Sequence, residues 1–120
     1  MSQYIDGFLL TIPKSKLAAY QKMASKAGKI WRKHGALEYR ECAAEDMAAP
    51  SMIPFPKLTK AKPTDIVIFA YVVFKSRKHR DAVNKKIFAD KDLQGMCEEA
   101  NGIVDCKHMA YGGFESIVSL

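Results

Sequence analysis

The chain has 120 residues, of which 48% are hydrophobic and 27% are charged, and its formal net charge is +6. This length fits a single domain over residues 1–120, and the moderate positive charge is only weak evidence for an acidic partner. Because the N-terminus has neither a basic region nor a long apolar core, we expect no signal peptide and no membrane span. Three irregularly spaced cysteines then indicate reduced thiols and a cytoplasmic location.

The first half of the chain predicts a strand, a long helix and a second strand. Tyr4–Ile12 is apolar and stops at a proline, and Ala36–Ala44 has the polar alternation of an edge strand. Between them, Lys14–His34 has an apolar stripe at helical spacing and ends at Gly35, where a helix C-terminal glycine belongs. The stripe consists of Leu17, Tyr20, Ala24, Ala27 and Trp31.

The second half begins with Glu45–Pro63, a proline-rich segment without a helical or strand pattern that nevertheless holds large apolar side chains. We expect an irregular, packed arm here, which acts as a lid or as a strap between subunits. Regular elements then follow along the chain. They are a strand at Ile66–Phe74, a helix at Arg77–Asp90 capped by Ser76, a short helix at Asp92–Ala100 and a strand at His108–Val118.

The order β-α-β-β-α-β predicts an α+β, ferredoxin-like domain, in which four antiparallel strands carry both helices on one face. The first and third strands take the centre of the sheet, and the second and fourth take the edges. The third strand, Ile66–Phe74, has nine apolar or aromatic residues in a row and therefore presents apolar side chains on both faces. Since the helices cover only one face, we expect the other to pack against a second copy of the chain, giving a homodimer.

Four motifs give the chain a resemblance to a known family. They are Tyr4-Ile5-Asp6-Gly7-Phe8, Lys33-His34-Gly35-Ala36-Leu37-Glu38-Tyr39, Lys75-Ser76-Arg77-Lys78-His79-Arg80-Asp81 and Tyr111-Gly112-Gly113-Phe114-Glu115. Together they resemble the YbaA-like proteins, a bacterial family of unknown function in the dimeric α+β barrel superfamily. The resemblance implies the fold and a homodimer, but no reaction and no catalytic residues. That superfamily includes cofactor-independent monooxygenases, isomerases of small cyclic acids, haem enzymes and binding proteins, so the fold does not choose among these functions.

Asp6 and Glu115 are acidic residues close to strand glycines, at Gly7 and at Gly112-Gly113. The two strands are neighbours in the predicted sheet, and strand glycines mark a bulge or a close approach by another group. One interpretation is a glycine-lined ligand site in which a poorly solvated carboxylate, Asp6, acts as a base. The other is a kinked sheet at the dimer interface, in which the acids pair with lysine or arginine side chains.

Trp31 and His34 lie three residues apart on the predicted helix and share a face, with Tyr39 close in sequence. One interpretation of a histidine beside a tryptophan and a tyrosine is that His34 acts as a general base for a phenol-like ligand. The competing interpretation is a histidine that neutralises the helix dipole. Tyr71 and Tyr111 are further candidates for pocket lining, although aromatic residues also fill ordinary cores.

The predicted second helix begins with the basic run Arg77-Lys78-His79-Arg80, where acidic residues are usual. Arg77 and Arg80 are therefore candidates for binding an anion at the helix N-terminus. The same residues equally suit ion pairs with nearby acids.

The sequence predicts no metal, no cofactor and no nucleic-acid partner. His34, His79 and His108 are far apart, and no histidine or lysine is placed to activate Cys42. RNA-recognition domains share the element order, but they need a Lys/Arg-Gly-aromatic motif on the third strand, which Ile66–Phe74 lacks.

Two functional hypotheses follow. The first is a homodimer that binds a small, partly aromatic molecule, either as a plain binder or as a cofactor-independent oxygenase or isomerase. The second is a non-enzymatic interaction or regulatory protein that uses the dimer surface and the basic start of the second helix. A cavity on the order of a few hundred Å³, edged by His34 or Asp6, is the observation that favours the first hypothesis.

Overall fold

The computed structural model describes residues 2–99, 102–104 and 108–120. The strands are β1 (Tyr4–Pro13), β2 (Glu38–Ala43), β3 (Asp65–Phe74) and β4 (Ala110–Glu115). The helices are α1 (Leu17–Lys33), which follows a 3-10 turn at Lys14–Lys16, then α2 (Phe55–Thr59), α3 (Arg77–Phe88) and α4 (Lys91–Glu99). The predicted α+β class and its order β-α-β-β-α-β are confirmed, with α2 as an addition.

All four strands form one antiparallel sheet in the order β2-β3-β1-β4. The apolar strands β1 and β3 are therefore central, and β2 and β4 are the edges, as predicted. Side chains alternate between the two faces of the sheet. One face packs against α1 and α3 and is called the helix face, and the opposite face is called the open face. On β3 the helix face carries Ile66, Ile68, Ala70, Val72 and Phe74, and the open face carries Val67, Phe69, Tyr71 and Val73.

Helix α1 packs on the sheet through the apolar stripe that the sequence predicts. Tyr20 and Ala24 of this stripe are buried and its other members are half-buried, while Ile30, outside the stripe, is also buried. The helix ends before Gly35, whose φ of +117° is a conformation that residues with a Cβ rarely adopt. Arg32 then donates a hydrogen bond to the Ala36 carbonyl oxygen at 2.9 Å, which fixes the turn toward β2.

The core between helices and sheet consists of two clusters of buried residues. One is centred on Phe74 and Ile87 and joins α3 to the sheet. The other is centred on Leu10 and Ile68 and joins α1 to the sheet. Because burial of apolar surface is the main stabilising contribution to a domain of this kind, these two clusters fix the helices in place.

The arm between β2 and β3 is the segment where the prediction of irregular structure is wrong, because Phe55–Thr59 forms the short helix α2. Proline suits a first helical turn, where its missing N–H would have no intrahelical partner, and Pro56 occupies that turn. Lys60 ends α2 in the left-handed conformation, with φ of 55°. Four apolar side chains of the arm are exposed, namely Met52, Ile53, Phe55 and Leu58.

Other predicted boundaries hold with small shifts. Strand β4 is shorter than the predicted His108–Val118, and α3 ends at Phe88. The predicted cap is confirmed, since Ser76 Oγ accepts a hydrogen bond from the His79 backbone N at 3.1 Å. Two predictions, a helix end at Ala100 and a reduced thiol at Cys106, fall outside the described residues. Within the described ranges, no helix is long and apolar enough to cross a membrane.

Candidate functional site

A pocket opens between α1 and the β2 edge of the sheet, on the helix face. Its outer part, the outer groove, has a volume of about 620 Å³, and Lys29 and Arg32 of α1 border it. Its inner part, the inner chamber, has a volume of about 280 Å³ and extends beneath α1 and α4. Its lining is largely apolar and includes Phe8, Met23, Ala27, Trp31, Leu93 and Met96.

Three polar side chains line both the outer groove and the inner chamber: Tyr20, Tyr39 and Glu41, the Tyr–Glu–Tyr cluster. The Tyr20 hydroxyl donates a hydrogen bond to Glu41 Oε1 at 2.5 Å, and the Tyr39 hydroxyl donates one to Oε2 at 2.5 Å. Burial, reinforced by the Glu41 carboxylate, raises the pKa of both phenols above the ordinary value. Both phenols are therefore protonated at neutral pH and act as donors to Glu41.

The Glu41 carboxylate has no cationic ion-pair partner among the described residues. Its negative charge is stabilised by two neutral donors at the wall of an apolar cavity. A carboxylate offers about four lone-pair sites, and the two phenols use one on each oxygen. The group therefore retains acceptor capacity for a bound molecule.

The fold positions this cluster through strand register and one glycine. Tyr39 pairs with Val72 and Glu41 pairs with Ala70, which places both side chains on the helix face. A Cβ at Gly28 of α1 would lie 2.6 Å from Cδ1 of Tyr39, so the close approach of α1 to the tyrosine ring requires glycine. The Tyr39 ring centroid lies 6.0 Å from that of Trp31, and both residues line the inner chamber.

Tyr20 and Glu41 are not among the site residues that the sequence predicts. The sequence pattern places Tyr20 in the apolar stripe of the first helix and Glu41 in the polar alternation of an edge strand. A signal for Glu41 was nevertheless present, because it lies two residues after Tyr39 and therefore shares its face of the strand. An acid on the same face as the aromatic residues marks a polar group turned toward the helices.

His34 and Asp6, the two predicted catalytic residues, line neither part of this pocket. His34 follows the last residue of α1, and its Nε2 lies 2.7 Å from Asp90 Oδ2. Asp90 Oδ1 accepts a hydrogen bond from the Asp92 backbone N at 2.9 Å, at the start of α4. The hydrogen bond from His34, with that from Asp92, lowers the pKa of Asp90. The observed role of this pair is to connect the end of α1 to the start of α4.

Asp6 belongs to a second polar cluster, the Asp–Arg cluster, which it forms with Arg80 and Tyr111. Asp6 is only 2% exposed, and its Oδ1 lies 3.2 Å from Arg80 Nη1 and accepts a hydrogen bond from the Tyr111 hydroxyl at 3.0 Å. The Arg80 guanidinium also lies over the Tyr4 ring, 4.9 Å from its centroid. Burial raises the pKa of Asp6 more than Tyr111 and Arg80 lower it.

The Asp–Arg cluster contains the kind of ion pair that the second interpretation of Asp6 proposed. Asn84 of α3 also lowers the pKa of the Asp6 carboxyl. Three elements, β1, β4 and α3, thus meet at one buried carboxylate whose charge is compensated. A role for Asp6 as a base stays a prediction.

The predicted glycine-lined depression holds aromatic rings of the chain itself. On the open face, a Cβ at Gly7 would lie 3.2 Å from Cε1 of Phe114, which packs over this glycine. On the helix face, a Cβ at Gly113 would overlap the Tyr4 hydroxyl. These glycines therefore make room for Phe114 and Tyr4.

The other predicted ligand-binding residues lie apart from the pocket. Tyr71 is on the open face, where its hydroxyl donates to Glu38 Oε1 at 3.1 Å. Glu115 is exposed at the end of β4, and Arg77 is exposed at the start of α3. Because Arg80 pairs with Asp6, it is not available to an anion in this arrangement. A metal-binding group of three or more His, Cys, Asp or Glu side chains does not occur within the described part of the chain.

Comparison with known proteins assigns the chain to a family. The model of a family described as a protein of unknown function, DUF1428, matches residues 3–103. The chain belongs to this family. Uncharacterized protein YbaA of Escherichia coli strain K12 is 36% identical over 116 residues, which cover 97% of each chain. The protein of the same description from Shigella flexneri shows the same identity and coverage. The resemblance to YbaA-like proteins is therefore confirmed.

Solved structures with the same architecture include two NIPSNAP proteins. An uncharacterized NIPSNAP domain protein from Burkholderia xenovorans has a TM-score of 0.60 at 13% identity, covering 92% of this chain and 91% of that one. A NIPSNAP family protein of unknown function from Agrobacterium tumefaciens has a TM-score of 0.58 at 14% identity, covering 95% and 87%. At this level of identity the likeness concerns the fold alone, and it supports the ferredoxin-like α+β architecture.

Proposed function

We propose that this protein binds a small, partly aromatic molecule in the pocket between α1 and β2. The observation that carries the proposal is the Tyr–Glu–Tyr cluster, which sets one carboxylate at the wall of an apolar chamber of about 280 Å³. A largely apolar, aromatic lining with a few placed polar groups is the usual composition of a small-molecule site. Trp31 and Tyr39 supply the aromatic surface, as the sequence predicts.

The same cluster supports a proton transfer without a cofactor. This is the step that an isomerase uses, and that a cofactor-independent oxygenase uses before dioxygen oxidises the deprotonated substrate. Glu41 is the group in the pocket that can accept a proton from a bound molecule. Tyr20 and Tyr39 hold its two oxygens in a fixed direction and stabilise its charge. In this proposal Glu41 takes the role of base that the sequence assigned to His34 and Asp6.

The binding proposal is tested with N-phenyl-1-naphthylamine, an uncharged probe whose fluorescence rises in apolar surroundings. We expect saturable binding to the native chain and weaker binding to Ala27→Leu, because Ala27 lines the inner chamber and the larger side chain fills it. Ala19→Leu, on the exposed side of the same helix, is the matched control and should bind the probe as the native chain does. Equal binding by both variants would exclude the inner chamber as the site.

We propose further that two copies pack through their open faces. Phe69 and Phe114 are 47% and 60% exposed there, beside other apolar residues of β1 and β3. Some polar groups of this face pair with one another, since Glu38 lies 3.2 Å from Arg40 Nη2 and accepts the Tyr71 hydrogen bond. The exposed apolar side chains gain from leaving water, and a two-fold axis would place the same face of a second copy against them.

Light scattering at micromolar concentration tests this association. The native chain should show about twice the chain mass of 13.4 kDa. Phe69→Lys should shift the mass toward one chain, because the buried charge would lack a partner. Phe88→Lys is the matched control, since Phe88 is 67% exposed but lies on α3, away from the open face. A native mass of one chain would contradict the proposal.

A further inference from the structure

Among the described residues, the polar side chains that line the inner chamber present acceptors and no free donors to a molecule inside it. Both hydroxyl hydrogens of the Tyr–Glu–Tyr cluster are directed to Glu41, one on each carboxylate oxygen. What faces the chamber is therefore the remaining lone pairs of Glu41, Tyr20 and Tyr39. A ligand that donates a hydrogen bond satisfies these groups, whereas a ligand that only accepts leaves them unpaired.

The charges around the pocket disfavour an anion in the chamber. Glu41 is the one charged residue that lines the inner chamber in the described part of the chain. The two cationic residues of the pocket, Lys29 and Arg32, border only the outer groove. Arg32 is already engaged, because its Nη1 donates to the carbonyl oxygens of Ala36 and Leu37. An anion would thus lose its water beside a carboxylate with no compensating cation.

A cation would be attracted by Glu41, but it would lose its hydration in an apolar chamber, and the cost of removing water from a charge can exceed the Coulombic gain. An uncharged ligand avoids this cost. Its flat apolar part fits the surface formed by the Trp31 and Tyr39 rings, whose planes are inclined by 42°.

On the basis of the proposed function, we propose that the inner chamber selects uncharged, flat molecules that carry a hydrogen-bond donor, of which phenols are the representative class. Glu41 is the residue that recognises the donor. The site thereby discriminates between ligands of the same shape by their charge, because it accepts a neutral phenol and rejects a carboxylate.

Four probes of one shape test this selection by titration calorimetry at neutral pH: naphthalene, 2-naphthol, 2-naphthoate and 2-naphthylmethylammonium. We expect 2-naphthol to bind about tenfold more tightly than naphthalene, the effect of one hydrogen bond to a charged acceptor. The two ions should bind more weakly than naphthalene. If none of the four binds, the proposed function itself fails. If naphthalene and 2-naphthol bind equally, or if either ion binds best, only the present inference is overturned.

Variants on β2 assign the selection to Glu41. Glu41→Gln should reduce the preference for 2-naphthol over naphthalene to about twofold and strengthen 2-naphthoate binding, because the amide is uncharged and supplies a donor. Glu38→Gln, on the same strand but the open face, is the matched control and should leave all four affinities unchanged.

Tyr20→Phe provides an independent check that does not remove the carboxylate. It frees a lone pair on Glu41 Oε1, so the preference for 2-naphthol should be kept or increased. Loss of the preference in Tyr20→Phe but not in Glu41→Gln would show that the tyrosine is the group that recognises the ligand, and would overturn the assignment.

Discussion

The Asp–Arg cluster and the Tyr–Glu–Tyr cluster each place one carboxylate on the helix face of the same sheet, yet they differ in what surrounds the charge. Asp6 is paired with Arg80 and lies where β1, β4 and α3 meet. Glu41 is held by two neutral phenols and borders a cavity. A buried carboxylate with a cation is complete as it stands, whereas one held only by neutral donors beside open space can still bind another molecule. The surroundings of the two acids, rather than their burial, separate a structural contact from a candidate site.

The largest expected effect comes from breaking the charge pair. Arg80→Met leaves Asp6 buried without its cation, so we expect the free energy of unfolding to fall by about 3 kcal/mol. This value is the lower end of the range for breaking a buried ion pair, because Arg80 retains some contact with solvent. Chemical denaturation at neutral pH measures the loss. Arg77→Met, three residues earlier on α3 and exposed, should change stability by no more than about 0.5 kcal/mol. Equal effects of the two variants would show that the Asp–Arg cluster contributes little.

The next effect compares one phenol from each cluster. Tyr20→Phe removes a hydrogen bond to a carboxylate that has only two neutral donors, and we expect a loss of about 1.5 kcal/mol in the free energy of unfolding. Tyr111→Phe removes a donor from Asp6, which keeps Arg80, so the loss should be about 0.5 kcal/mol. Denaturant titration of both variants tests the order. The reverse order would mean that Glu41 is supported by something other than its phenols.

A smaller effect is expected from filling the space that Gly28 leaves for Tyr39. Gly28→Ala forces the Tyr39 ring to shift, which lowers the free energy of unfolding by about 2 kcal/mol. The higher helix propensity of alanine raises it by about 1 kcal/mol. The net loss should be about 1 kcal/mol, together with weaker probe binding in the inner chamber.

Gly95 of α4 is the matched control for Gly28, because a Cβ there would meet nothing within 4 Å. Gly95→Ala should therefore stabilise the protein by about 0.5–1 kcal/mol. If both alanine variants shift the thermal midpoint in the same direction, the close approach of α1 to Tyr39 does not require glycine.

The smallest effect is a pH dependence of opposite sign at Asp6 and Asp90. Burial raises the folded-state pKa of Asp6 above 3.8, so the stability linked to this group is present below that pH and is lost as the pH rises through the folded pKa. The His34 hydrogen bond lowers the pKa of Asp90 below 3.8, so its contribution is present above that value and is lost as the pH falls through the folded pKa.

Denaturation across an acidic pH series tests these signs. The stability of the native chain relative to Asp6→Asn should decrease as the pH rises above 3.8, whereas its stability relative to Asp90→Asn should decrease as the pH falls below 3.8. Dependences of the same sign for both variants would mean that the charge on Asp6 is stabilised by Arg80 more than it is destabilised by burial.

Most of the fold could be predicted from the sequence, because its local signals agree with the tertiary structure. The apolar run of β3, the stripe on α1, the cap at Ser76 and the glycine at position 35 each fix an element or its end. The arm was predicted less well. Its four prolines indicated irregular structure, although a proline in a first turn is compatible with a short helix such as α2.

The candidate site was predicted only in part. The sequence predicts Trp31 and Tyr39 at a pocket because they are aromatic residues close to His34, and both line the inner chamber although His34 does not. Tyr20 and Glu41 are 21 positions apart in the chain, and nothing local links them. Their hydrogen bond exists because α1 crosses β2 at Gly28, which is a property of the packing.

The sequence by itself determined which faces are apolar, the order of the main strands and helices, and the central place of β3, because side-chain periodicity and capping are local properties. Only the tertiary structure decided which carboxylate pairs with a cation and which borders a cavity. That outcome depends on distances between elements far apart in the chain, and it distinguishes Asp6 from Glu41.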